Sequence, residues 1–79
     1  MNVQTKQNTV NVVESINGTI NQLLAFSDTP EGNVVAEQVF TTLFREHDAV
    51  LSDEDLQVAI EEGNYNDGNE YQLFLVHST

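Results

Sequence analysis

Asn17-Gly18 stands between two runs of β-branched and apolar residues, Thr9 to Ile16 (TVNVVESI) and Thr19 to Phe26 (TINQLLAF). No other feature of the chain restricts its fold as strongly. Asn and Gly tolerate the positive φ that both central residues of a type I′ turn require, and that turn matches the twist of two antiparallel strands. Val10, Val12 and Ile16 alternate along the first run, interrupted by Glu14; Ile20, Leu24 and Phe26 alternate around Gln22 along the second. A helix competes for the same residues, because Val13, Ile16, Ile20, Leu23 and Leu24 also fall at helical spacing. The β-branched content and a mid-segment glycine, which costs a helix about 1 kcal/mol relative to Ala, favour the hairpin.

Ser27-Asp28-Thr29-Pro30-Glu31 reads as a helix start. Asp28 or Thr29 can cap, Pro30 suits the first helical position, and Glu31 faces the positive end of the dipole. From there to about His47, Val35, Ala36, Val39, Phe40, Leu43 and Phe44 share one face. A second helix begins after Ser52, with Asp53, Glu54 and Asp55 in its first turn, Leu56, Ala59 and Ile60 as its buried stripe and Gly63 as its stop. Val50 and Leu51 are expected to pack under the joint. Asn64 to Glu70 (NYNDGNE) is turn chemistry. Tyr71 to His77 (YQLFLVH) is the last strand, with Tyr71, Leu73 and Leu75 on one face and Phe74 and Val76 on the other.

The order β-β-α-α-β predicts an α+β, two-layer fold: a three-stranded, mainly antiparallel sheet with two helices on one face. The expected neighbour of the last strand is the second strand; pairing beside the first, in parallel, is the alternative. The 79 residues make a single small domain, 1–79, with residues 1–8 as a flexible or edge N-terminus. A chain this short buries only about 60% of its unfolded surface. It has no Cys to staple it, so packing, helped by a second copy, must supply the core. Met1 to Asn8 has no apolar run and does not read as a secretory signal. The apolar stretch Leu73 to Val76 is too short to span a bilayer. A cytoplasmic location is the expectation.

Charge narrows the partners. Two bases, Lys6 and Arg45, face thirteen acids, for a net charge of −11 at pH 7. The imbalance comes from missing bases, since charged residues are 19% of the chain, below the usual quarter. Two cations neutralise too few phosphates for direct nucleic-acid binding, and an anionic membrane surface is excluded on the same ground. A basic protein surface remains. Nine of the acids lie between Glu46 and Glu70, with no base among them. Asp53, Glu54 and Asp55 are explained by capping. Glu61 and Glu62 are not, because they sit at the negative end of the same helix. Glu54 with Glu61, and Asp55 with Glu62, fall seven residues apart, which sets each pair about 10 Å apart on one flank.

Other motifs reduce to bland readings. An EF-hand register on Gly68 would need carboxylates at Gly63 and Tyr65 and a Glu at Phe74, so it fails. Glu46-His47-Asp48 groups ligand types, but neighbours on a helix point apart. Asn17-Gly18-Thr19 matches a glycosylation acceptor and is fully explained by the turn. No nucleophile elbow, phosphate loop or paired metal-binding His occurs; no catalytic residue, metal or cofactor is expected. Two functions compete. One is an acidic interaction module that binds a basic protein surface through Asp48, Glu54, Asp55, Glu61 and Glu62, with a DNA-mimic type of inhibitor as a subset. The other is a small self-associating structural protein whose charge confers only solubility. A homodimer is expected through Leu23 and one face of the last strand, with Leu73/Leu75 and Phe74/Val76 both candidates.

Overall fold

The computed structural model describes residues 8–78. Its elements are β1 (Thr9–Ile16), β2 (Thr19–Ser27), α1 (Pro30–His47), α2 (Asp53–Glu62), β3 (Asn64–Asn66) and β4 (Tyr71–Ser78). The class is α+β, with two helices against an antiparallel sheet of four strands in the order β2-β1-β4-β3. The expectation of a flexible or edge N-terminus lies, Asn8 apart, outside the described residues.

The hairpin forms on Asn17-Gly18, whose φ angles of 55° and 78° are the two positive values of a type I′ turn. Valine in place of Gly18 would strain that conformation. We expect Gly18→Val to lower stability by about 1–3 kcal/mol in urea unfolding; an unchanged midpoint would show that the turn does not hold the hairpin. Both helices start where their caps require. The Thr29 hydroxyl accepts from Gly32 N–H and the Ser52 hydroxyl from Asp55 N–H, with Pro30 in the first turn of α1.

Two expectations about the sheet are corrected. Asn64 to Glu70 is not all turn, since Asn64–Asn66 forms β3 against β4. Gly63 makes this possible. Its left-handed φ of 71° ends α2, and its carbonyl then accepts from Leu75 N–H at 2.9 Å. The close approach leaves no room for a side chain, because a Cβ would come within 2.6 Å of the Leu75 carbonyl oxygen. The extra strand adds one more reversal of the chain, so β4 runs antiparallel to β1 and pairs with it, not with β2.

A bulge also changes the register of β2. Glu14 pairs with Gln22 but Ser15 with Ile20, which makes Asn21 the extra residue. Ile20 is thereby turned away from the alternation of Leu24 and Phe26 and is 62% exposed. Val10, Val12, Phe40, Phe44 and Leu73 are fully buried, joined by Ala36, Leu43, Ala59, Tyr71 and Leu75. Phe44 meets the edge of Tyr65 at a centroid distance of 4.7 Å, which brings β3 into this core. Three apolar residues expected inside are less covered than expected: Val39 is half-buried, Val35 is 43% exposed and Val50 lies on the surface.

Leu73 and Leu75 are core residues, so they cannot serve as a self-association surface. Phe74 and Val76 lie on the opposite face of β4. Phe74 is opposite Val13, which in turn faces Leu23 across the next strand pair. No helix among the described residues is long and apolar enough to cross a membrane.

Candidate functional site

On α2, Leu56, Ala59 and Ile60 turn toward the core, and at 100° per residue Val58 lies opposite them. Glu54 and Glu61 flank Val58 on one side, Asp55 and Glu62 on the other. All four are exposed, and none of their carboxylates is held in a hydrogen bond or ion pair among the described residues. The spacing of seven residues sets one pair on each side of Val58, a residue that the sequence pattern alone did not single out. Asp53 does not join them, because Arg45 bonds both its carboxylate and the Leu51 carbonyl, fastening the start of α2 to α1. Asp48 also stands apart. It caps the end of α1, where Oδ1 accepts from Val50 N–H and Oδ2 accepts a long bond from the Tyr65 hydroxyl at 3.4 Å.

The acids are distributed one-sidedly. Glu31, Glu37 and Glu46 lie on α1, five more on α2, and Asp28, Asp48, Asp67 and Glu70 in the connections. Glu14 is on β1 but points to the helical side. The outer face of the sheet and the whole of β2 carry no carboxylate among the described residues.

Glu14 is the residue that sequence reasoning missed. It is 7% exposed. Tyr71 donates its hydroxyl to Oε2 at 2.6 Å, and Asn21 and Gln22 donate their amides to Oε1 at 2.7 and 3.2 Å. The bulge is what brings two successive amides onto one oxygen. Burial opposes the charge on Glu14, but these three donors outweigh it and hold the carboxyl below its ordinary pKa. Tyr71 is pushed well above the usual phenol value, by burial first and by Glu14 second. It stays a hydrogen-bond donor and not a base. The His47 ring stacks on Tyr71 at 3.7 Å and donates from Nε2 to Asp67 at 2.9 Å. The hydrogen bond from the Asn69 backbone does most to lower the Asp67 pKa; burial opposes it, and the bonds from His47 and the Tyr71 backbone keep the net direction downward. The Asn17 N–H bonds the Glu70 carbonyl at 2.8 Å, tying the two turns at this end together.

These groups border a cleft of about 400 Å³ lined by Glu14, Glu46, His47, Glu70 and Tyr71. Its chemistry is limited. Both Glu14 oxygens are already engaged, Tyr71 is locked as a phenol, and His47 is held by stacking and by Asp67. No group of three or more His, Asp or Glu among the described residues is placed to hold a metal ion. The cleft is best read as a polar clasp that closes the hairpin end of the sheet. The unengaged carboxylates on α2 are the better candidate for binding. Compared with known proteins, the chain matches no family model, and no curated protein or solved structure is significantly similar to it.

Proposed function

We propose that this protein is an acidic interaction module that engages a basic protein surface through the outward face of α2. The observation that carries the reading is the set of Glu54, Asp55, Glu61 and Glu62 around Val58, exposed and committed to no internal partner. Asp53, Asp48 and Asp67 have internal partners; Glu31, Glu37, Glu46 and Glu70 are also exposed without one, but they lie on α1 and in a turn, apart from this helix face. Four uncommitted carboxylates, two of them at the helix end that disfavours them, are explained by a partner's cations. With −11 on the chain and almost no compensating base, the field would also steer a cationic surface toward this side. Surfaces that ordinarily hold nucleic acid are the most strongly basic members of that class. A DNA-mimic inhibitor would show itself by competing with duplex DNA for the captured protein.

Immobilised protein should retain basic proteins from cell extract at about 50 mM salt and release them by about 500 mM, where the screening length falls to a few ångströms. Substituting both Glu61 and Glu62 with Gln should weaken that binding by about tenfold, through lost complementarity and not through unfolding. The melting temperature should hold or rise, because two charges leave the unfavourable helix end. Retention indifferent to both salt and these substitutions would overturn the proposal.

A further inference from the structure

The side of the molecule away from its acids has a feature that the binding face does not explain. β2 ends the sheet, so one edge of its backbone is unpaired among the described residues. Edge strands are usually kept short, charged, broken by proline or covered. The opposite edge, β3, has three residues. β2 has nine (TINQLLAFS), with no charge and no proline, and every residue except Phe26 is exposed. The bulge at Asn21 lies near the turn, which leaves Gln22 to Ser27 in unbroken register.

Apolar side chains flank this edge on both sides. Leu23, 61% exposed, and Ile20 project from the outer face. On the helical side, Leu24 borders a groove of about 370 Å³ together with Val35 and Val39 of α1. Val35 belongs to the apolar stripe of α1 yet is left uncovered by a single chain. The outer face of β4 is less open, since Phe74 is half-buried beside Val13, and the exposed Val76 is paired with the polar Asn11.

We infer that β2 pairs with β2 of a second copy across a two-fold axis, giving one sheet that runs through both chains. Antiparallel pairing of a strand with itself is self-complementary, and an axis near Leu23, the middle of Thr19–Ser27, sets each Leu23 against its mate. That axis keeps both helical layers on the same side of the shared sheet. The two Leu24/Val35 grooves then face each other and close. Charge selects this occupant. A basic partner is drawn to the carboxylates of α2, which packs at the far, β3 end of the sheet. A second copy is repelled from there and can approach at low cost only along the carboxylate-free edge. Glu46 borders the groove and opposes the contact, so salt, by screening it, strengthens the dimer. That is the opposite of what salt does to a basic partner on α2, so the two readings fail separately.

The full chain should be examined by sedimentation equilibrium over about 5–500 µM, a range that brackets micromolar dissociation constants. The expected result is a monomer–dimer equilibrium that shifts toward dimer between about 50 and 500 mM salt. Leu23→Lys should weaken it by about tenfold, because two ammonium groups would oppose each other across the axis in place of the Leu23 pair, with an unchanged circular dichroism spectrum. Val76→Lys, on the outer face of β4, should leave it intact. Hydrogen exchange at the β2 amides should slow as concentration rises. Several outcomes overturn the inference. They are a monomer at every concentration and salt, a dimer indifferent to Leu23→Lys, and a dimer lost in Val76→Lys, which would mean stacking of sheet faces. The last is a monomer whose β2 amides are protected only while residues 1–7 are present, which would make the chain's own N-terminal segment the occupant.

Discussion

Phe40→Ala should lower the unfolding free energy by about 3–5 kcal/mol, the range for a fully buried Phe. Phe40 has no exposed surface and lies between Phe44, at a centroid distance of 6.5 Å, and the sheet. In so small a domain the void has few neighbours able to move in, which places the expected loss toward the upper end. The consequence follows from the size of the whole. A domain of this length has a total stability of about 4–12 kcal/mol, so the variant should be largely unfolded, or should unfold at a much lower urea midpoint with an unchanged slope. Because self-association would add stability that grows with concentration, both proteins must be compared at the same low concentration. A loss below about 1 kcal/mol would show that α1 does not pack as described.

The core around Phe40 was legible in the sequence because helix signals are local. Thr29, Pro30, Ser52 and Gly63 each act within one turn of where they stand, and the stripe through Ala36, Phe40, Leu43 and Phe44 repeats at the helical period. The hairpin was legible for the same reason, since Asn17-Gly18 sets its own φ values. β3 was not, because Asn64-Tyr65-Asn66 has little strand propensity and becomes a strand through the Gly63–Leu75 hydrogen bond and the seat of Tyr65 against Phe44. Strand order failed with it, since counting reversals without β3 directs β4 the wrong way. Ile20 was placed on the wrong face because a bulge leaves no mark in hydrophobic spacing. Among the site residues, the α2 carboxylates followed from spacing on one helix. Asp48 did not, because its partners Val50 and Tyr65 depend on how a loop and a distant strand are laid down. Glu14 did leave a trace, as a carboxylate in the inward register of a strand whose other inward residues are apolar. Its partner Tyr71 is 57 positions away, which local pattern cannot connect.

That pair gives the second large expected effect. Glu14→Gln keeps the shape of the side chain but removes its charge; the amide oxygen can still accept from Asn21 and Gln22, while the NH2 group faces the Tyr71 hydroxyl, which must turn from donor to acceptor. Replacing charge-assisted bonds by neutral ones should cost about 1–3 kcal/mol at pH 7. The pH dependence tests the cause. The folded-state pKa of Glu14 is depressed, so its contribution is fully present above the unfolded value of about 4.3 and is lost as pH falls through the lower folded value. Acid also relieves the repulsion among the other carboxylates, and Asp28 and Asp67 titrate low as well. These effects are common to wild type and variant, so they cancel in the difference. The stability gap between the two proteins should therefore be flat above about pH 5 and should narrow below about pH 4. Tyr71→Phe removes the hydroxyl donor and lets the Glu14 pKa rise toward its ordinary value, so its own gap from wild type should shrink over the same range. A Glu14→Gln gap that persists unchanged to pH 3 would mean that the site is held by shape alone, and that the charge on Glu14 contributes nothing to the clasp.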